Sequence, residues 1–298
     1  MTTLMQTLPM ILIFLIGLVM RRNNILSVRD GEALLKLVFN VTAPALFIAS
    51  ISELHIGHDL LLLPVLSVVM FFGIYLIALG TGKLLKLPRA SFGTFLLGAS
   101  IMNIGFVLPF FVAVYGIKEA GRISFLDLGN ALVVFTFGYA LAARMGQHEV
   151  QQKMHSKILK SPPIIAIFVG LLLNVLHIPV PEPIMNTCNM LGMATLPLGM
   201  LSLGMFFNPR LSNLPVTFMA VFIRMLLGFG LGYLMVQALG LTGINRTMLL
   251  LAASAPAGTN TLTFSVLEKL DTELASSIVS LSIFLGLMVA PLILMLGQ

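Results

Sequence analysis

Residues 252–265 read AASAPAGTNTLTFS, in the middle of an apolar run from Met248 to Leu267. Proline removes a backbone donor and leaves a carbonyl unpaired. In hydrocarbon such a stretch persists only where protein or a watery cavity surrounds it. A second apolar run carries LGASIMNIGFVLP over residues 97–109. Asn103, Gly105 and Pro109 interrupt that run as Pro256, Gly258 and Asn260 interrupt the first. Unwound helix ends present backbone donors and positive helix N-termini to a cavity, and both favour anions. The chemistry read here is therefore binding. Its candidate ligands are Asn103, Ile104, Gly105, Gly258, Thr259 and Asn260, with Pro109 and Pro256 as helix breaks.

Other polar residues fall within apolar stretches. Asn40 and Thr42 stand before Pro44, and Thr195 stands before Pro197. Asn40 and Thr42 are read as substrate contacts, with Pro44 and Pro197 as further structural breaks. A bond from Asn40 to a neighbouring helix is the plainer alternative. Asn130 and Asn189 are weaker candidates. Arg224 lies about ten residues into an apolar run, and an intramembrane arginine marks a functional site by default. Snorkelling toward an interface is the competing account. The GFGLG at 228–232 lacks a preceding strand, so it reads as close helix packing and not as a nucleotide loop.

Catalytic patterns are missing from the sequence. It has no His-Glu-x-x-His, no Gly-x-Ser-x-Gly and no Walker loop. His55, His58, His148, His155 and His177 follow no metal-ligand spacing. The expectation is no enzyme, no cofactor and no metal. The acidic residues fall in connections, with Asp127 near the start of a span, so no carboxylate sits clearly at mid-membrane. That weakens an ion-coupled antiporter, which keeps one there.

The elements that must hold these residues follow from composition. The chain of 298 residues is 58% hydrophobic and 9% charged, against about 25% charged in soluble domains. Its mean hydropathy is +1.04. The class is an all-α polytopic membrane protein, with spans at 4–20, 33–52, 60–82, 91–115, 123–143, 162–178, 184–207, 214–239, 246–267 and 274–296. The net charge of +6 does not imply nucleic acid, because Lys and Arg concentrate on alternate short loops. By the positive-inside rule both termini lie outside. Arg21 and Arg22 follow the first apolar run, where a cleavable leader would carry its charge before it.

Aligning Thr42–Pro44 with Thr195–Pro197 gives an offset of 153 residues, and Ala99–Ser100 with Ala253–Ser254 gives 154. Two pairs agreeing this closely indicate a repeat. Five spans per half, an odd number, make it an inverted one. The halves are 1–145 and 162–298, joined by a cytoplasmic linker at 146–161, with the fourth and ninth spans broken at matching places.

The 5 + 5 split, LVFNVTAPALFIASIS in the second span and the interrupted fourth and ninth spans resemble the auxin efflux carrier family of permeases, in its short bacterial form. The resemblance covers essentially the whole chain. It implies a fold like that of sodium/proton antiporters and bile-acid transporters, with spans four and nine crossing at the substrate site. It also implies a scaffold of spans 1, 2, 6 and 7, a moving unit of spans 3–5 and 8–10, a homodimer and a bacterial inner-membrane location. The implied activity is secondary transport of a small organic anion, a carboxylate such as malonate or malate or an auxin-like aromatic acid. A membrane sensor or lipid-binding protein on the same fold is the alternative, as is an ion-coupled antiporter. The chain lacks the long central loop of the large plant members.

Overall fold

The computed structural model describes residues 2–54, 57–146, 161–207 and 212–297. The linker expected at 146–161 lies outside the described residues except for its two ends. His55, His148, His155 and Arg210 lie outside them too. Among the described residues the regular structure is helical. We label the helices α1 (Thr3–Arg22), α2 (Val28–Ser52), α3 (His58–Leu84), α4a (Arg89–Ser100), α4b (Ile104–Tyr115), α5 (Ile117–Met145) and α6 (Pro162–Val175). The rest are α7 (Glu182–Phe206), α8 (Leu214–Leu239), α9a (Gly243–Ala253), α9b (Asn260–Leu267) and α10 (Thr272–Leu296). Seven helices among the described residues, α1, α2, α3, α5, α7, α8 and α10, are long and apolar enough to cross a bilayer. This is a multi-pass membrane protein.

Several boundaries differ from the sequence expectation. Helix α2 starts at Val28, not 33, because Ser27 and Asp30 form a capping box: the Asp30 amide donates to Ser27 Oγ and the Ser27 amide to Asp30 Oδ2. That reciprocal pair satisfies two orphan donors and starts the helix inside a polar stretch. The helical path of α5 starts at Ile117, not 123, so Asp127 is well inside it and half-buried. The prolines also behave differently from one another. Pro109 and Pro197 lie inside α4b and α7, which continue through them. Pro44 follows a π-helical turn at Val38–Thr42 within the continuous α2. A proline deletes one helical bond, and neighbouring groups or a local π adjustment can absorb that loss without ending the helix. Of the four, Pro256 alone sits in a non-helical stretch.

The chain divides into two compact units. The first comprises Met1–Leu63, Leu108–Leu128 and Ser156–Phe207, and the second Pro64–Val107, Gly129–His155 and Asn208–Gln298. In the first unit α1 packs on α7, and α6 packs on the second half of α2. Glycine permits both approaches. A Cβ on Gly17 would lie 2.1 Å from the Leu201 carbonyl oxygen, and one on Gly170 would lie 3.0 Å from Ile51 Cβ. Small residues at such positions let membrane helices touch backbone to backbone.

Polar links close the same two contacts. Arg21 donates to the carbonyls of Met205 (2.7 Å) and Phe207 (3.3 Å) at the end of α7. Asn174 donates to those of Ser52 (3.1 Å) and Leu54 (2.7 Å) at the end of α2, and also to Ile51. Gly17 and Gly170, Arg21 and Asn174, Met205 and Ser52, and Phe207 and Leu54 are each 153 residues apart. At the centre, Thr195 Oγ1 donates to Thr42 Oγ1 at 2.9 Å, again across 153 residues.

Candidate functional site

In the second unit the two interrupted segments meet. Helix α4a stops at Ser100 and α4b resumes at Ile104, while α9a stops at Ala253 and α9b resumes at Asn260. The Asn103 amide donates to the Pro256 carbonyl at 2.9 Å, and the Gly258 amide to the Ile101 carbonyl at 2.9 Å. Met102 and Ala257 are thereby paired as an antiparallel bridge. Each break supplies the backbone partners that the other has lost. This answers how unwound chain persists among apolar helices, where each unpaired backbone group costs several kcal/mol.

Side chains satisfy much of the remainder. Asn130 on α5 donates to the Met102 carbonyl at 3.3 Å, and Ser282 Oγ on α10 accepts from the Ala257 amide at 3.0 Å. Asn103 Oδ1 accepts from the Phe106 amide at 3.1 Å and so caps α4b, while its Nδ2 is 3.5 Å from the Ala257 carbonyl. Arg224, fully buried on α8, donates from Nη1 to the Ser100 carbonyl at 3.2 Å and from Nη2 to the Ala253 carbonyl at 2.6 Å. Those two carbonyls are the C-terminal ends of α4a and α9a.

Tight packing fixes the bridge. A Cβ on Gly258 would fall 2.3 Å from Ile101 Cγ2, and one on Gly286 of α10 would fall 2.5 Å from Pro256 Cγ. Gly105 is different. It is exposed, and a Cβ there would meet only Asn103 Oδ1, at 3.7 Å. Asn103 and Ile104 are buried, and Thr259 and Asn260 half-buried.

The structure therefore brings Asn103, Ile104, Gly105, Gly258, Thr259, Asn260 and Arg224 together around one bridge. Asn40 and Thr42 belong to the first unit. Asn40 is exposed and donates to the Lys36 carbonyl of its own helix at 2.7 Å, and Thr42 is buried against Thr195. Sequence reasoning gave Asn130 little weight and passed over Ser282. The signal for Ser282 was available as a small-residue stripe, Ser282 and Gly286, spaced one turn apart on α10. Glu268, read as a loop residue, is 6% exposed and lies beside Tyr139. A separate cavity of about 660 Å³ in the first unit, lined by Ser52, Glu53, Asn174 and His177 among others, contains none of the predicted site residues.

What the bridge can do follows from its backbone. Among the described residues, the amides of Ile104, Gly105, Thr259 and Asn260 meet no acceptor. They are the first donors of α4b and α9b, the positive ends of both helices. The described acidic side chains of the second unit, Glu268, Asp271 and Glu273, all follow α9b. A helix of that length holds them about 12 Å from Asn260, at about 1.5 Å per residue.

The family model described as membrane transport protein matches residues 2–294. An uncharacterized transporter of Methanocaldococcus jannaschii is 25% identical over 300 residues, covering 96% of each chain. Another, from Methanothermobacter thermautotrophicus, is 25% identical over 295 residues, covering 96% of this chain and 95% of the relative.

Proposed function

The chain belongs to the membrane transport protein family, and from that premise we propose that it is a secondary carrier of a small organic anion, bound as its carboxylate at the bridge between α4 and α9. Family membership bears out the resemblance read from the sequence and makes membrane transport its role. The substrate class rests on one observation, the four amides of Ile104, Gly105, Thr259 and Asn260 left without acceptors.

Charge supports the same sign. Each helix C-terminus carries about −0.5 of an elementary charge and each N-terminus about +0.5. The C-termini of α4a and α9a together offset the charge of Arg224. The N-termini of α4b and α9b then leave about +1, and the described carboxylates of the second unit, Glu268, Asp271 and Glu273, all lie beyond the far end of α9b. One carboxylate would complete that balance.

The carrier reading further assigns ten crossings in two inverted halves, with the short α6 and the paired half-helices of α4 and α9 counted among them. Its support is the set of equivalent contacts 153 residues apart in the first unit. The elevator reading takes the unit containing the bridge as the carrier of the anion and the other as its anchor; the division gives α4a and α8–α10 to the bridge unit and passes through α4b and α5, whose Leu108–Leu128 fall in the other. Uptake into proteoliposomes tests the function. Labelled malonate, malate and indole-3-acetate are each compared with the corresponding amide. Saturable uptake of at least one acid and none of its amide is expected. Binding without accumulation would instead indicate a sensor.

Ion coupling is a second reading. It is favoured by two carboxylates withdrawn from solvent, the half-buried Asp127 within α5 and Glu268, buried in the turn after α9b. Uptake that follows an imposed proton or sodium gradient, and is lost in Asp127→Asn or Glu268→Gln, would select it.

A further inference from the structure

Arg224 has no counterpart in the first half of the chain. The repeat offsets of 153 and 154 place Phe71 and Met70 at the equivalent positions, both buried and apolar. The contacts at the two breaks are otherwise nearly reciprocal, yet one arginine serves both. Its two Nη atoms divide between the halves, one on the Ser100 carbonyl of α4a and the other on the Ala253 carbonyl of α9a.

The neighbouring residues of α8 are shaped for this contact. A Cβ on Gly228 would lie 2.3 Å from the Ala253 carbonyl oxygen and 2.8 Å from Arg224 Nη2, and one on Gly232 would lie 2.4 Å from Ala253 Cβ. Arg224, Gly228 and Gly232 recur every four residues and form one stripe directed at the end of α9a. Gly230, off the stripe, has open space around it. A π-helical turn at Phe222–Leu227 contains Arg224, and such turns re-aim side chains at functional sites.

We propose that Arg224 is a positioning residue that clamps the C-terminal ends of α4a and α9a to α8, so that both breaks keep one fixed register, and that its charge is committed to those helix ends and not to substrate. Each C-terminus alone carries about half a negative charge, so neither would stabilise a buried guanidinium by itself. The fork of the guanidinium reaches two acceptors at once, whereas a lysine ammonium is a point charge. The clamp stands on the geometry of the second unit. Its consequence for transport rests on the carrier reading above.

The test measures register without needing a substrate. Spin labels are placed at Ala90→Cys on α4a and Arg246→Cys on α9a in a Cys188→Ser background, in the full chain. A control pair in the first unit uses Leu12→Cys on α1 and Met193→Cys on α7. Wild-type protein should give one narrow distance distribution for each pair. Arg224→Gln should broaden or split the α4a–α9a distribution and leave the control pair unchanged. If Arg224→Gln cannot be purified, Arg224→Lys and Gly228→Ala take its place and should broaden the same pair. A narrow, unmoved α4a–α9a distribution in the variant measured would overturn the clamp. Equal broadening of both pairs would also overturn it, because Arg224 would then support the fold generally. Where uptake is measurable, the clamp lowers Vmax with KM little changed. A KM raised at constant Vmax would return Arg224 to the role of substrate ligand.

Discussion

Asn103 has two duties that its substitutions can separate. Its carbonyl oxygen caps α4b at the Phe106 amide, and its position puts a neutral amide at the positive end of that helix. Losing an N-cap costs about 1 kcal/mol, while Asp caps about as well as Asn. Asn103→Ala should therefore lower the melting temperature modestly and reduce transport. Asn103→Asp should keep the cap but lose the donor facing the Ala257 carbonyl, so it should be no more stable than wild type, and it should transport less than Asn103→Ala, because a carboxylate there occupies the charge that the substrate would meet. Thermal unfolding and uptake measured side by side decide the matter. Transport by Asn103→Asp equal to or above that of wild type would mean that the site does not take an anion. The sequence made Asn103 visible because an amide in an apolar run is conspicuous. It could not show that Arg224 faces helix ends, because that depends on where Ser100 and Ala253 stop their helices.

At the level of elements, the glycines of the two breaks look alike in sequence and differ in space. Gly258 fits against Ile101 with no room for a methyl, whereas Gly105 faces open space. Gly258→Ala should destabilise by about 1–3 kcal/mol, the usual cost of overpacking a tight contact, and should disturb the bridge. Gly105→Ala should fold normally and weaken substrate affinity, since its methyl would stand beside unpaired amides. Denaturation midpoints and binding of whichever carboxylate is transported would distinguish them. The expectation fails if Gly258→Ala is neutral or if Gly105→Ala is the more destabilised of the two. Helix positions were largely legible, because apolar runs of this length leave few alternatives. The fates of Pro44, Pro109 and Pro197 were not. Whether a proline breaks a helix depends on what its neighbours offer the freed carbonyl, and that is a tertiary property. The early start of α2 was legible in principle, in Ser27 and Asp30, but a capping box in a polar stretch resembles a loop until it is paired.

For the whole molecule, the offset of 153 residues between Thr42 and Thr195 was readable from a few letters. The match between Arg21 and Asn174 was not, because a guanidinium and an amide share no sequence likeness. They share only the task of covering the last carbonyls of a neighbouring helix. The offset of 153 thus holds as a pattern of contacts at positions where the residues themselves show no likeness. In the carrier proposed above, the anion would rest on two helix N-termini in one unit, and those partial charges would stay with it as that unit moves. Such a site would open to one side at a time, so flux would saturate and be slow. Cysteines at Asn103 and at Thr259, each in a Cys188→Ser background, should change reactivity together when a transported carboxylate is added. In any trapped state a membrane-impermeant thiol reagent should reach both positions from the same single side. Labelling from both faces in one homogeneous trapped state, or conductance in a planar bilayer at the rates of an ion channel, would replace the carrier with a pore.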